Sequence, residues 1–242
     1  MRTALSVMPL LAAALLGGCG DILGGDVIRG RGPVTVEDRS VGSFYGVSNA
    51  TVADVEILLG PYDRVRVVAE DNLIPYIRTR VENGTLRIYT ESRVQLRPTQ
   101  PIRIEVDVRT LEWISSSGSG DVSAPILDAR WLEVDLSGSG DVLLPRLLAD
   151  TLVVEHSGSG DVYVTGDVLR QRIRMSGSGH FDAGDLLSAR VDARLSGSGS
   201  ATVRARDRLD AVISGSGSLR YYGTPSVSQT VTGSGRVQRM GN

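Results

Sequence analysis

The feature that most constrains the fold is a short motif, Ser/Thr-Gly-Ser-Gly plus one polar residue, which occurs seven times in the C-terminal half of this 242-residue chain. The seven motifs begin 18 to 20 residues apart, at positions 117, 137, 157, 176, 196, 214 and 232. Glycine inside a strand costs about 0.5–1 kcal/mol relative to alanine, so the 14 glycines of the motifs need a structural reason. Apolar residues flank every motif, which argues against a flexible Gly/Ser linker.

Side-chain alternation divides each motif between two faces. Successive side chains of a strand point to opposite sides, so both glycines share a face with the residues before and after the motif. Those flanking residues are mostly apolar, as Leu136 and Val142 are, whereas the hydroxyl residues and the fifth residue share the other face. We therefore expect an extended strand through each motif, with inward glycines that admit groups from the opposite wall of the coil. A sharp bend at each motif is the alternative.

The regular period predicts an all-β fold, a right-handed parallel β-solenoid of about seven C-terminal coils with N-terminal strands as its first layers and cap. Equivalent residues of successive coils then form columns with a spacing of about 4.8 Å. Turn signals lie between the motifs, at Pro125, Pro145, 166–167, 184–185 and 223–225. A β-sandwich also contains many short strands, but it does not explain one motif per coil.

The first residues are typical of a bacterial export signal. An apolar run follows a single Arg, and Leu16-Gly17-Gly18-Cys19 resembles a lipobox, which predicts a lipoprotein signal peptide over 1–18 and lipidation of Cys19. We expect secretion across the inner membrane and a lipid anchor in the cell envelope, in the outer membrane, on its surface or periplasmic side. An ordinary cleaved signal with a stray thiol is the alternative. Cys19 is the only cysteine, which excludes an intrachain disulfide.

The rest of the chain reads as a tether and one β domain. Residues 19–32 form a glycine-rich tether, and 33–242 form the domain. Within it, 33–110 contains alternating strands that we expect to cover one end of the solenoid, and 111–242 contains the motifs. Asn83-Gly84 predicts a hairpin, and 71–77 predicts one helical turn.

Composition excludes some functions. All 26 basic residues are Arg, so lysine chemistry is absent, and removal of the signal leaves 25 basic against 28 acidic residues. Such a balance provides no basic field for nucleic acid.

The chain resembles a known family, the head GIN domain of putative auto-transporter adhesins, over residues 34–240. The features that carry the resemblance are Phe44, Val47, the run 55–60, the segment 71–73, residues 83–86 and the Ser-Gly-Ser-Gly motifs after Leu111. The resemblance implies a β-rich, solenoid-like domain on bacterial lipoproteins or envelope proteins, and it supplies no catalytic motif.

Three aspartates, Asp121, Asp141 and Asp161, occupy the fifth position of the first three motifs and should stack in one column. The simplest interpretation is that each carboxylate accepts a hydrogen bond from a nearby backbone N–H. A calcium column and carboxylate catalysis on a polysaccharide are the alternatives. We predict no catalytic residue, no cofactor and no metal site.

The two histidines do not indicate catalysis. His156 takes an inward, otherwise apolar position, where a backbone group should satisfy it, and His180 should lie beside Asp161. A catalytic dyad needs a nucleophile next to the base, and Ser159 and Ser178 are candidates only by residue type.

The outward hydroxyl columns are the candidate ligand face. The first column contains Ser117, Ser137, Ser157, Ser176, Ser196 and Ser214, and continues to Thr232; the second contains Ser119, Ser139, Ser159, Ser178, Ser198 and Ser216, and continues to Ser234. The regular hydroxyls could bind a glycan or a repeating polymer, or simply form a solvated ladder. Nearby, Arg172–Asp192 and Glu155–Arg174 should be opposite-charge neighbours between coils.

These observations predict a non-enzymatic adhesion or surface-interaction module of the cell envelope. The first alternative is a periplasmic scaffold that binds cell-wall polymer or an envelope protein, and the second is an enzyme acting on polysaccharide. The expected partners are the membrane, through the lipid anchor, and a glycan, cell-wall polymer or envelope protein. Exposed solenoid ends can stack, so the oligomeric state stays open.

Overall fold

The computed structural model describes residues 25–242, in which β-strands are the main secondary structure. The predicted signal peptide, Cys19 and the first residues of the tether lie outside the described residues. The N-terminal strands are β1 Asp26–Arg29, β2 Val34–Arg39, β3 Gly46–Asn49, β4 Asp54–Leu59, β5 Arg64–Glu70, β6 Ile77–Glu82, β7 Thr85–Thr90, β8 Val94–Arg97 and β9 Arg103–Val108. The C-terminal strands are β10 Trp113–Ser116, β11 Val122–Ser123, β12 Leu127–Leu136, β13 Val142–His156, β14 Val162–Met175, β15 His180–Leu195, β16 Ser200–Ile213, β17 Ser218–Tyr222, β18 Ser226–Val231 and β19 Arg236–Gly241.

The C-terminal strands stack in parallel, as predicted, and form a β-solenoid. Each residue pairs with its equivalent one period later, so that Val134, Val154, Ile173, Ala193 and Ala211 form one buried column. The stack has about six turns, a small difference from the seven coils predicted. The reason is that seven motifs delimit six intervals.

Two walls of the solenoid meet at each motif. The first wall contains β10, residues 131–136 and their register partners up to β18. The second contains β11, residues 142–144 and their partners up to β19. Register shifts between Leu144 and Leu147 and between Ala183 and Leu187 turn the chain back towards the first wall. The predicted turn signals at Pro145 and 184–185 fall inside these shifts.

The N-terminal strands extend both walls and close one end, which confirms the predicted cap. β3 pairs in parallel with β10 and β4 with β11, so they form one further layer below the first motif. Antiparallel strands β6, β5 and β2 then complete the sheet beyond β7 and β9. The predicted hairpin turn joins β6 to β7, with positive φ at Asn83 and Gly84. The predicted helical turn is a 3-10 turn at Ile74–Tyr76.

The motifs themselves are bends between the walls, so the predicted extended strand through each motif is wrong. At the bends of the first four motifs, two consecutive N–H groups donate to one carbonyl of the layer below. Ser137 and Gly138 donate to Ser116 O at 2.9 and 3.1 Å, and Ser139 and Gly140 donate to Gly118 O at 3.0 and 3.4 Å. The predicted alternation of exposure survives the bend, because the motif serines are exposed and the second glycines of the first six motifs are buried or nearly so.

The motif glycines are required because the neighbouring layer lies too close for a side chain. The prediction that they make room for groups from the opposite wall is therefore wrong. A Cβ atom at Gly138 would overlap the carbonyl oxygen of Gly118, and one at Gly158 would overlap that of Gly138. At all 14 motif glycines, an added Cβ atom would lie closer than 3.0 Å to a backbone carbonyl oxygen of the layer below. Each motif therefore packs its backbone directly on the backbone of the motif before it.

The first layer shows the same path without glycine. Residues 50–54, Ala-Thr-Val-Ala-Asp, lie below 117–121, and the carbonyls of Asn49 and Thr51 accept the N–H groups of the first motif. Side chains are tolerated here because no motif lies below. Asn49 and Thr51 are buried and bond each other, with Thr51 Oγ1 donating to Asn49 Oδ1 at 2.7 Å. Asn49 Nδ2 also donates to Ala53 O at 2.9 Å, which closes the loop.

Replacing Gly138 with alanine should lower the free energy of unfolding by about 2–3 kcal/mol, because the methyl group forces two backbone layers apart. Urea denaturation followed by circular dichroism measures the change. Gly42→Ala is the matched control, since that glycine is exposed and a Cβ there meets no atom within 4 Å. Equal stability of the two variants would contradict the layer-packing explanation.

Candidate functional site

The predicted serine columns lie along the outer edge where the two walls meet. All twelve serines predicted as the ligand face are exposed. Among the hydrogen bonds of residues 25–242, only Ser196 of these twelve uses its hydroxyl, which donates to Met175 O at 3.3 Å. The hydroxyls therefore do not bond one another along the columns. They are free to bind water or a ligand.

The two columns differ in their surroundings. The first column borders a groove of about 520 Å³, which we call the serine groove. Its lining includes Ser157, Ser176, Ser196 and Ser214, together with the neighbouring column Glu155, Arg174, Arg194 and Val212. Serines of the second column do not line this groove. Sequence alternation could not make this distinction, because both columns point outward.

Two ion pairs border the serine groove. Arg174 Nη1 lies 2.5 Å from Glu155 Oε1, which confirms the predicted neighbours. Arg172 and Asp192 are register partners, as expected, but the Asp192 carboxylate contacts Arg194 at 3.5 Å within its own strand. Because these ion pairs are exposed, each contributes only about 0.2–1 kcal/mol to the free energy of unfolding.

The aspartate column forms a hydrogen-bonded ladder, which confirms the capping interpretation. Asp121 Oδ1 accepts the N–H of Asp141, and Asp141 Oδ1 accepts that of Asp161, both at 2.8 Å. The ladder continues upward, where Asp161 Oδ1 accepts the N–H of His180 at 2.7 Å, and begins below, where Asp54 accepts the N–H of Asp121 at 3.1 Å. Asp54 was not predicted, because its layer lacks the motif.

The upper end of the ladder favours the ionised form of Asp161. Partial burial by itself would raise its pKa, but the N–H of His180 and the phenol of Tyr163 hold the pKa of Asp161 below its ordinary value. Within residues 25–242, no three or more Asp, Glu, His or Cys side chains are arranged to hold a metal ion.

The histidines occupy the predicted environments. His156 is 2% exposed, and its Nε2 lies 2.7 Å from Gly160 O, the predicted backbone contact. Burial lowers the pKa of His156, so the neutral form with Nε2–H as donor fits the site, and Nδ1 lacks a partner. His180 is exposed, with Nδ1 3.3 Å from Asp161 Oδ1, as expected. In the described part of the chain, neither Ser159 nor Ser178 hydrogen-bonds to His180.

A second groove on the first wall was missed by the sequence reasoning. It has a volume of about 260 Å³ and is bordered by Trp131, Arg170, Arg172 and Arg190. The sequence did contain a signal for this groove. Arg170, Arg190 and Arg208 are separated by the same intervals as the motifs, so the repeat predicts that they stack in one column. Among residues 25–242, no helix is long and apolar enough to cross a bilayer.

Replacing Asp141 with alanine should lower the free energy of unfolding by about 1–2 kcal/mol, because the N–H of Asp161 loses its acceptor. Asp141→Asn keeps an acceptor oxygen and should stay within about 0.5 kcal/mol of the wild type. Chemical denaturation measures both, with Asp128→Ala, an exposed aspartate without a side-chain hydrogen bond, as the control. A melting temperature that rises with added calcium chloride would instead favour the calcium column.

Stability should fall as the pH drops from 7 towards 5, because an unfolded chain protonates His156 below its ordinary pKa of about 6.5 while the native chain resists protonation. Thermal melting of His156→Leu, the residue found at the equivalent position 136, should show a weaker pH dependence over this range. His180→Gln should retain the wild-type dependence. The opposite ranking would contradict the role of His156.

Solved structures share this fold. A crystal structure of a putative adhesin from Bacteroides fragilis NCTC 9343 is 26% identical, with a TM-score of 0.85 over 88% of this chain and 100% of that chain. That of a putative lipid binding protein from Parabacteroides distasonis ATCC 8503 is also 26% identical, with a TM-score of 0.76 over 89% and 100%. A putative adhesin from the same organism, at 23% identity and a TM-score of 0.71 over 89% and 100%, supports the fold alone. No curated protein matches the chain in sequence.

A family model also matches, and it covers most of the solenoid together with its cap. The family is described as putative auto-transporter adhesin, head GIN domain, and its model matches residues 43–225. The matched range includes the glycine-free first layer and six of the seven motifs. This agrees with the resemblance drawn from the motifs themselves. The chain therefore belongs to the head GIN domain family of putative auto-transporter adhesins.

Proposed function

We propose that this protein is a non-enzymatic surface-interaction module of the bacterial cell envelope and that it binds its partner along the serine groove. The observation that carries the proposal is the row of exposed hydroxyls beside a groove of about 520 Å³. Among the described residues, Ser157, Ser176 and Ser214 have no protein partner for their hydroxyls, and only Ser196 donates to a backbone carbonyl. Hydroxyls arranged at the strand spacing of about 4.8 Å suit the repeated hydroxyls of a glycan or a cell-wall polymer. The adhesin description of the family and of its structural neighbours agrees with a binding role.

The carboxylates and histidines support a non-enzymatic role. General acid–base catalysis needs a group that can reach a substrate proton. The oxygens of Asp121 and Asp141 accept backbone N–H groups of the next layer, and His156 is buried against Gly160. His180 contacts Asp161 but has no neighbouring serine that donates to it. The aspartates therefore join successive layers, and His156 is held within its own motif.

The location of the module follows from the N-terminal sequence. We infer that Cys19 carries lipid after signal cleavage and that the segment after it holds the domain near the outer membrane. The predicted tether ends earlier than residue 32, because Asp26–Arg29 pair as β1 with β8. Cys19→Ser should abolish labelling with a lipid precursor and release the protein into the soluble fraction. Unchanged membrane association of this variant would contradict the lipid anchor.

Protease treatment of intact cells separates the two envelope sides. Cleavage of this protein while a periplasmic control survives would support an adhesin that faces outward. Protection until the outer membrane is broken would overturn the outward adhesin and support the periplasmic scaffold that binds cell-wall polymer or an envelope protein.

The groove is tested by two matched triple variants. Ser157, Ser176 and Ser196 line the groove, so their replacement by glutamine should fill it and abolish binding to a glycan array or to purified sacculi. The control replaces Ser159, Ser178 and Ser198, which are equally exposed but do not line the groove. Loss of binding in both variants, or in neither, would contradict the proposed site.

A further inference from the structure

A basic surface lies on the first wall beside the serine groove, at the second groove described above. We call it the arginine face and define it by Trp131, Arg170, Arg172, Arg190 and Arg208. Register pairing places Arg170 directly beside Arg190, and Arg190 beside Arg208, on neighbouring strands. Arg172 lies two residues after Arg170 in β14 and therefore on the same side. The tip of one guanidinium can thus reach the next.

Three of these arginines have no carboxylate partner. Among the described residues, Arg170, Arg172 and Arg190 form no ion pair within 4.0 Å, whereas Arg208 is held by both oxygens of Asp210 at 2.6 and 2.7 Å. Like charges on directly neighbouring strands destabilise a sheet. Arg170 and Arg190 therefore repel each other, and a bound anion would remove that repulsion, whereas Arg172 lies beside Asp192 across the strands.

The arginines border a groove that also contains an aromatic side chain. Trp131 is 43% exposed and begins the column that continues through Thr151 to Arg170. An exposed indole provides a flat apolar surface, which can pack against the apolar face of a sugar ring. Arginine binds planar anionic groups, such as carboxylates, through two parallel hydrogen bonds. The groove thus combines a stacking surface with arginines. Asp192 and Asp210 also line it, and their carboxylates pair with Arg194 and Arg208.

We propose that the arginine face binds an acidic polysaccharide, with Arg170, Arg172 and Arg190 on its carboxylate or sulfate groups and Trp131 against a sugar ring. This inference rests on the proposed binding function and names its ligand class. A row of cations at the strand spacing of about 4.8 Å suits a linear polymer with repeated charges better than a single anion. The formal net charge of the whole chain, −2, disfavours non-specific binding of nucleic acid.

The two tryptophans of the chain allow a direct measurement. Trp113→Phe leaves Trp131 as the only indole, so its fluorescence reports on this groove. Titration with polygalacturonate should change that fluorescence, neutral dextran should not, and the response should weaken as salt is added. In the same background, Arg170→Gln/Arg190→Gln should raise the dissociation constant about tenfold, because two charge-assisted contacts are lost.

A matched control separates the site from general charge effects. Arg220→Gln/Arg236→Gln removes the same charge from exposed arginines on the second wall that also lack a carboxylate within 4.0 Å among the described residues. This control should bind polygalacturonate like the parent. An equal loss in both double variants, an unchanged constant in Arg170→Gln/Arg190→Gln, or equal affinity for duplex DNA would overturn the proposal.

The serine-groove variants keep this test independent of the proposed function. If the Ser157/Ser176/Ser196 variant loses sacculus or array binding but polygalacturonate gives no Trp131 response, the serine groove stands and the acidic-polysaccharide site is wrong. If the Trp131 response is present and is lost in Arg170→Gln/Arg190→Gln while the serine variants bind normally, the arginine face stands and the serine groove is wrong.

Discussion

The close packing of one motif backbone on the next is the constraint on which this structure depends. Each motif glycine lies where a side chain would collide with a carbonyl oxygen of the preceding layer. This approach lets backbone N–H groups of each motif donate to carbonyls of the layer below, at the place where every layer bends. The walls on either side then remain in parallel register over the whole stack. The energetic cost of so many glycines is offset by the continuous backbone hydrogen bonding that they permit.

Register converts a linear repeat into surface chemistry. Because equivalent residues are stacked, every outward position becomes a column, and each column repeats one type of group. The aspartates extend the hydrogen bonding between layers, the serines present exposed hydroxyls, and the arginines bring cations together. The serine groove and the arginine face lie side by side on the first wall.

The candidate site could be predicted only in part. The alternation of side chains along a strand predicted that the serines point outward and that His156 lies in the core. The contact of the aspartates with backbone N–H groups was also predicted. All three features depend on local geometry. Alternation did not reveal that only the first serine column borders a groove, because this depends on side chains such as Arg174 and Val212 from other positions of the wall. Nor did it reveal that Asp192 pairs with Arg194 and leaves Arg172 without a carboxylate.

The sequence by itself determined the period, the all-β solenoid, the inward and outward faces and the family, because these follow from a repeat of near-constant length and strict alternation. The tertiary structure decided that the motifs bend and that the glycines make room for the adjacent layer. It also showed that residues 49–54 begin the stack, although they lack the motif and precede it by more than 60 residues. Local sequence determines which side chains of a strand point inward and which point outward. The room available to each side chain depends on the segment that stacks against it, which only the tertiary structure reveals.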